Sequence, residues 1–104
     1  MGKYRLSIIA AEDLDGIYVY TFDEWGSEQL LIYRDHIEAA LEEISEDPMR
    51  SGSRNRDDLL EGCRFYPVQH HFLAYRVRFD QVEVGRILHE RMHFEDHVSE
   101  ESFE

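Results

Sequence analysis

Hydrophobic and polar residues follow two different periods in the two halves of the chain. Residues 4–9 alternate around Ser7, which predicts a strand with Leu6 and Ile8 on one face. The period then changes to steps of three and four, as one face of an α-helix requires. The stripe of a first helix is Leu14, Ile17, Tyr18, Thr21, Phe22 and Trp25. The stripe of a second helix is Leu30, Tyr33, Ile37, Ala40, Leu41 and Ile44.

The two stripes are separated by a very short joint. Gly26 favours a left-handed helix end, and Ser27 can cap the helix that follows. So short a connection predicts an antiparallel two-helix hairpin in which each helix buries its stripe. Asp47-Pro48 ends the second helix.

The second half of the chain has the alternation of a β-sheet. Residues 49–62 are polar and predict a loop, and residues 63–68, 72–78 and 82–88 predict a three-strand meander. If the turn at Asp80-Gln81 is two residues long, Phe79 pairs with Val82, whereas a four-residue turn changes the partners but not the faces. One face then carries Leu73, Tyr75, Val77, Phe79, Val82, Val84 and Leu88, with Arg86 as its single charge. We expect this face to pack on the helices and the opposite face to be wet or to meet a partner.

These elements predict an α+β fold: an N-terminal strand and an antiparallel two-helix hairpin packed on a small, mainly antiparallel sheet. With 104 residues, the chain 1–104 is expected to be a single domain. Residues 92–98 favour a short terminal helix. Residues 99–104 are expected to form a frayed acidic tail whose removal leaves folding nearly unchanged.

Cysteine content and hydropathy indicate a cytoplasmic protein. Cys63 is alone, so no intramolecular disulfide can form, and the chain has no apolar run long enough for a membrane span or a signal peptide. Packing of the core must therefore stabilise the fold without a disulfide bond.

The formal charge of −12 disfavours direct binding of a nucleic-acid backbone. Residues 1–48 carry three basic and twelve acidic side chains, residues 49–91 carry eight and six, and residues 92–104 carry none and five. Ten of the eleven cations are Arg, whose planar donors suit protein carboxylates as well as phosphate. A protein surface is the favoured partner.

Residues with catalytic or metal-binding potential have ordinary explanations. His89, His93 and His97 are spaced by four and would share a helix face, but no helix is secure there, and exposed histidines are the simpler reading. Cys63 lies in a predicted strand, where a lone cysteine is more often buried than nucleophilic. We expect no catalytic residue, no metal and no cofactor. Arg86 either forms an ion pair with a helix acid such as Asp13 or Glu24, or reaches the surface to meet a target.

Several stretches resemble the ParE toxins of the RelE/ParE superfamily, which includes plasmid stabilisation proteins. They are residues 64–68 (Arg-Phe-Tyr-Pro-Val), 72–77 (Phe-Leu-Ala-Tyr-Arg-Val) and 82–92, within which Arg-Ile-Leu-His-Glu-Arg-Met is the most specific run. The first half is similar as well, with a Tyr-x-Leu strand, Ala11-Glu12 leading into a helix with Leu14, Ile17 and Tyr20, and Trp25-Gly26 at its end. The resemblance covers nearly the whole chain.

The resemblance implies a toxin of a type II toxin–antitoxin system without enzymatic activity. It implies a ParD-type ribbon-helix-helix antitoxin whose C-terminal segment wraps the toxin, and DNA gyrase as the target whose inhibition blocks replication. Antitoxin contacts are expected in a groove between helix and sheet, at Tyr18, Phe22, Trp25, Phe65 and Val68. Target contacts are expected at Arg64, Arg76, Arg86, His89 and Arg91.

Two other functions remain open. Related RelE-type toxins are ribosome-dependent messenger-RNA endonucleases that use Lys and Arg side chains with a C-terminal Tyr or His. Here Lys3 is the only Lys and no Tyr follows Tyr75, so His89 is the residue that keeps this reading open. The third possibility is a protein-interaction module without toxicity.

Overall fold

The computed structural model describes residues 4–104 and places one long helical element on a five-stranded sheet. The elements are β1 (Tyr4–Leu6), α1 (Ile8–Glu46), β2 (Arg54–Asn55), β3 (Arg64–Val68), β4 (His71–Arg78) and β5 (Gln81–His89), followed by 3-10 turns at Phe94–Asp96 and Glu100–Phe103. The strand order is β1-β5-β4-β3-β2. β1 runs parallel to β5, and the other neighbours are antiparallel. The predicted α+β class and the meander of β3, β4 and β5 are confirmed.

The N-terminal strand is shorter than its alternation predicts. The predicted strand over residues 4–9 ends at Leu6, because Ser7 caps a helix that begins at Ile8. The Ser7 hydroxyl accepts a hydrogen bond from the amide of Ala10 at 3.0 Å and donates to the carbonyl of Gly85 at 2.7 Å. A buried serine thus starts α1 and ties its first turn to β5.

The prediction of two separate helices is not supported, because Ile8–Glu46 is one helical element. Gly26, inside α1, has non-helical backbone angles (φ 89°, ψ 178°). Residues other than Gly rarely adopt these angles. A straight helix of this length would span about 58 Å at 1.5 Å per residue. The longest dimension of the molecule is 38 Å. α1 therefore changes direction at Gly26, and Leu14 and Ile17 pack in the same core as Ile37 and Leu41.

The β4–β5 ribbon has a different register from the one expected. Its turn lies at Phe79-Asp80, so that Arg78 pairs with Gln81 and Val77 with Val82. A bulge follows, because Tyr75 pairs with Val84 while Ala74 pairs with Arg86, leaving Gly85 as an extra residue. The bulge reverses the alternation beyond it.

The reversal decides which β5 side chains reach the main core. Ile87, and not the predicted Leu88, packs against α1, while Leu88 lies on the other face. The main core joins Ala10, Ile37, Ala40, Leu41 and Ile44 of α1 to Val68, Leu73, Tyr75, Val82, Val84 and Ile87 of the sheet. It fixes the helix on the sheet.

The opposite face of the sheet is covered by the chain itself. The expectation that this face would be wet or meet a partner is wrong, because it holds a second apolar cluster. The buried members are Cys63, Phe65, Ala74, Leu88 and Val98, with Leu59, Leu60, Phe72, Met92 and Phe94 packed around them. Part of the predicted 49–62 loop is therefore anchored, and its residues Arg54–Asn55 form the edge strand β2.

The predicted frayed tail is docked as well. Phe103 is 4% exposed and lies against Gly85, where an added Cβ would come within 2.8 Å of its ring. Arg76 lies 4.2 Å from the centre of that ring and pairs with Glu83 at 3.0 Å and Glu100 at 2.8 Å. Sequence periodicity could not reveal this contact, because it depends on the gap that Gly85 leaves in β5. The predicted helix over residues 92–98 is reduced to the single 3-10 turn at Phe94–Asp96.

Within residues 4–104, no helix is both long and apolar enough to cross a membrane.

The docked tail makes a prediction about stability. Phe103→Ala should lower the free energy of unfolding by about 3 kcal/mol, because it removes a buried ring and opens a cavity over Gly85. In a domain of this size, that corresponds to a fall in melting temperature of about 10 °C or more. Thermal denaturation checks this, with Glu101→Ala, an exposed residue of the same turn, as the control expected to change little. Equal melting temperatures for Phe103→Ala and the wild type would mean that the tail is frayed in solution.

Candidate functional site

An open cleft of about 860 Å³ lies between α1 and one end of the β3–β5 sheet. We call it the histidine cleft, because His70, His71 and His89 line its sheet side. Its helix side is formed by residues on both sides of the Gly26 bend, among them Tyr20, Trp25 and Tyr33. The bend in α1 thus forms one wall, and the β3–β4 turn forms the other.

Aromatic rings with polar atoms form the floor of the cleft. The Tyr33 hydroxyl oxygen lies 2.5 Å from Nδ1 of His71, and the rings of His71 and His89 meet edge to face at 5.1 Å. The pKa of His71 is lowered to about 4. Burial is the largest cause, and the neighbouring His89 and His70 lower the pKa further. The His71 ring is therefore neutral at pH 7, and its Nδ1 can accept a hydrogen bond from the Tyr33 hydroxyl. Burial also raises the pKa of Tyr33, so the hydroxyl keeps its proton.

The rim of the cleft is apolar and accessible. Trp25 is 68% exposed and Tyr20 is 63% exposed, although both are large aromatic side chains. Within residues 4–104, no Lys or Arg belongs to the cleft lining, whereas Glu12 and Asp13 do. The cleft therefore offers aromatic surface beside carboxylates. Such a surface suits a protein segment that carries apolar side chains and a cation.

The residues expected to contact an antitoxin do not form one groove. Phe22 and Trp25 are exposed on α1, and Trp25 alone of the five lines the cleft. Tyr18 is half-buried at the edge of the main core, near Glu38 and Arg34. Phe65 is 2% exposed in the second cluster, and Val68 is 7% exposed in the main core.

Sequence analysis missed Tyr20, Tyr33 and His71 as members of the cleft. A usable signal was present, because His71 precedes Leu73 and Tyr75 by even steps and so shares their helix-facing side of β4. Tyr33 was assigned to the core stripe of the second helix, which hid its reach to His71. The meeting of the two required the bend at Gly26.

The residues expected to contact a target are also dispersed. Arg64 donates to the Ser53 hydroxyl at 2.8 Å, and Arg76 is 8% exposed beneath the tail. His89 is half-buried, and its Nδ1 accepts a hydrogen bond from the amide of Arg91 at 3.1 Å. Arg91 itself is exposed. Of the five, His89 alone lines the cleft, and Arg91 follows it two residues later.

Arg86 is engaged by Asp13, the helix acid that sequence analysis named first. Its Nε and Nη2 donate to the two carboxylate oxygens at 2.8 and 3.0 Å, and the amide of Ile87 donates to the same carboxylate at 3.0 Å. Arg86 Nη1 also donates to the carbonyl of His97 at 3.3 Å. One guanidinium therefore joins α1, β5 and the C-terminal segment.

Other chemically interesting side chains do not combine into a reactive site. Burial raises the pKa of Cys63 to about 11, which keeps the thiol protonated and unreactive. His89 lies in β5, and His93 pairs with Asp96 and Glu95 at a 3-10 turn, so the three histidines spaced by four do not share a helix. Over residues 4–104, no three potential ligands are grouped as a metal would require.

Comparison with known proteins gives consistent matches over most of the chain. Residues 4–94 match the family model described as ParE toxin of type II toxin-antitoxin system, parDE. The chain is 36% identical to Toxin ParE1 of Caulobacter vibrioides over 98 residues, which covers 94% of this chain and 99% of that protein. It is 34% identical to Toxin ParE1 of Mycobacterium tuberculosis over 91 residues, 86% of this chain and 91% of the relative.

A solved structure has the same fold. It is described as a chromosomal ParDE TA system from P. aeruginosa, and it superposes with a TM-score of 0.73 at 21% sequence identity. The match covers 86% of this chain and 96% of that chain. At this identity the match establishes the fold alone.

The Asp13–Arg86 pair makes a prediction about stability. The two side chains are only 17% and 16% exposed, so Arg86→Met would leave a poorly solvated carboxylate without its partner. The free energy of unfolding should fall by about 3 kcal/mol. The double variant Asp13→Asn/Arg86→Met should be more stable than Arg86→Met, because it removes the unpaired charge. Chemical denaturation measures both, with exposed Arg54→Met as the control. Wild-type stability of Arg86→Met, together with lost activity, would instead make Arg86 a partner contact.

Proposed function

Since the chain belongs to the family of ParE toxins of parDE type II toxin–antitoxin systems, we propose that it acts by binding two proteins in turn. One is a ParD-type ribbon-helix-helix antitoxin that neutralises it. The other is DNA gyrase, whose inhibition would block replication. Toxicity through binding, without catalysis by this chain, is the function that the site supports best.

The histidine cleft is the proposed seat of the antitoxin. The observation that carries this proposal is the pair of exposed aromatic side chains, Trp25 and Tyr20, beside an open cleft. A stable complex buries about 1,200–2,000 Å² in total, and aromatic anchors at its centre supply much of the affinity. An amphipathic segment laid along the bend of α1 would cover both rings.

The acidic charge of α1 indicates which side chains an antitoxin segment should present to it. Within Ile8–Glu46 the chain has eleven Asp and Glu side chains and a single Arg. The basic stretch from Arg50 to Arg91, which holds eight of the eleven cations, is the other candidate interface. Arg64, Arg76 and Arg86 of that stretch are engaged inside the domain. An apolar interface in the cleft, with Lys or Arg of the antitoxin facing α1, is therefore the better candidate.

The target contact is proposed at the mouth of the cleft. His89 and Arg91 are the two expected target residues that keep accessible surface at the end of β5. Met92, the next residue, lines the cleft. An antitoxin seated in the cleft would then cover the edge of the target site, which provides a direct means of neutralisation.

A ribosome-dependent messenger-RNA endonuclease is the alternative, and one observation favours it. His71, which is neutral at pH 7, lies together with His89 and Tyr33 in an open cleft, where groups of this type can transfer protons. Against it, the part of the cleft lining that residues 4–104 form contains no Lys or Arg to hold a phosphate, and it does contain the exposed Glu12. A non-toxic interaction module would bind the antitoxin and arrest no growth.

The antitoxin site predicts the effect of a single truncation. Trp25→Ala should weaken binding of the ParD-type antitoxin at least about 30-fold, as expected for an aromatic anchor, while the melting temperature changes little because the ring is exposed. Isothermal titration calorimetry with the purified antitoxin measures the affinity. Val19→Ala is the matched control, since Val19 is 60% exposed on α1 but does not line the cleft. Wild-type affinity in a Tyr20→Ala/Trp25→Ala double variant would move the antitoxin to another surface.

At the proposed target site, the two functions predict opposite results for which substitution, Arg91→Glu or His89→Ala, is the more severe. For a gyrase-directed toxin, Arg91→Glu should abolish growth arrest, because loss of an interface Arg lowers binding about 30-fold to 1,000-fold, and His89→Ala should be milder. For a ribonuclease, His89→Ala should be the more severe change, by about 100-fold to 10,000-fold in rate. Parallel assays of gyrase supercoiling and transcript cleavage measure both, with exposed Arg54→Glu as the charge-reversal control. Intact supercoiling with positioned cuts in messenger RNA would refute the gyrase proposal.

A further inference from the structure

The turn between β4 and β5 combines two features that are unfavourable in an isolated domain. Phe79 and Asp80 form a two-residue turn between the paired Arg78 and Gln81, and both have positive φ, 53° and 59°. Turns of this kind favour Asn and Gly, because a positive φ brings Cβ too close to the backbone. A bulky aromatic residue in this conformation is a clear outlier.

The second feature is exposure. Phe79 is 88% exposed, so its ring contributes almost nothing to the core. The guanidinium of Arg78 lies 5.3 Å from the ring centre in a cation–π contact, which is weak at an exposed site. Val77, two residues earlier on β4, is 48% exposed. Packing within the domain therefore does not account for an aromatic residue at the tip. Strained residues that packing does not explain point to function.

We propose that Phe79 is an anchor that inserts into an apolar pocket on the target protein, with Arg78 pairing with a carboxylate at the rim of that pocket. This rests on the proposed function, in which the chain acts by binding a target. A protruding ring needs a concave partner, and exposed aromatic and Arg side chains are the residue types that dominate protein interfaces. Arg78 is exposed and forms no ion pair within residues 4–104, so its charge is available.

Charge selects a target protein over other occupants. The chain carries −12, which opposes docking of the tip on an anionic membrane or on nucleic acid and also opposes association of two copies. A partner pocket with acidic groups close to Arg78 and apolar walls around Phe79 meets the local chemistry.

The tip is separate from the histidine cleft. His71, which lines the cleft, begins β4, and Arg78 ends it. At about 3.3 Å per residue, the seven steps between them span about 23 Å. A target gripped by Phe79 and by Arg91 would thus be held at both ends of the β4–β5 ribbon. An antitoxin in the cleft would displace it from one end only.

The experiment replaces each residue of the turn in the same way. Phe79→Asn removes the ring and suits positive φ, so its melting temperature should equal or exceed that of the wild type. Its inhibition of gyrase supercoiling should nevertheless weaken at least about 30-fold, with loss of growth arrest and unchanged antitoxin affinity. Asp80→Asn, the matched control, keeps the ring in the same turn and should inhibit like the wild type.

The outcomes separate this proposal from the function on which it rests. Wild-type inhibition and growth arrest by Phe79→Asn would overturn the anchor while leaving the toxin intact. Self-association of the wild type that Phe79→Asn abolishes, measured by sedimentation, would make a second copy the occupant and also overturn it. A wild-type protein that neither inhibits gyrase nor arrests growth would overturn both proposals. Loss of inhibition in Phe79→Asn with retained folding and antitoxin binding would establish the anchor.

Discussion

The architecture depends on the carboxylate of Asp13 at the outer edge of β5. It accepts hydrogen bonds from Nε and Nη2 of Arg86 and from the amide of Ile87, beyond the point where β1 stops pairing with β5. The same Arg86 holds the carbonyl of His97. Helix, sheet and C-terminal segment therefore meet at one partly buried ion pair, which is costly to break because each charge would be left poorly solvated.

The bulge at Gly85 allows this meeting. The extra residue moves both Arg86 and Leu88 off the face that carries Val82 and Val84, so that Leu88 enters the second cluster while the Arg86 guanidinium reaches Asp13 beyond the end of β1. The missing side chain at Gly85 also leaves the space that Phe103 fills. Both apolar faces of a small sheet are thus covered within a single chain, and most of the large apolar side chains that stay exposed within residues 4–104 lie near the bend of α1 or at the β4–β5 turn. These are the two places where we propose protein partners.

The two proposed surfaces differ in physical character. The histidine cleft is concave, with carboxylates and a neutral His71, and it would receive a segment of another protein. The β4–β5 turn is convex, with Phe79 and Arg78, and it would enter a pocket of another protein. In the proposed function the chain is bound by an antitoxin and itself binds a target. Two surfaces of opposite shape would serve these two roles.

The sequence by itself determined the α+β class, the meander of β3, β4 and β5 and the likeness to ParE toxins, because these follow from local periodicity and from motifs, and it offered Asp13 as one of two acids that could pair with Arg86. Tertiary structure alone decided the bulge at Gly85, the docking of Phe103, the hydrogen bond from Ser7 to Gly85 and the approach of Tyr33 to His71. Each of these depends on a contact between residues far apart in the chain, which no local period encodes. Phe65 and Arg76 were expected to be surface contacts for the same reason: strand alternation gives the face of a residue, but it does not show that the chain's own C-terminus covers that face.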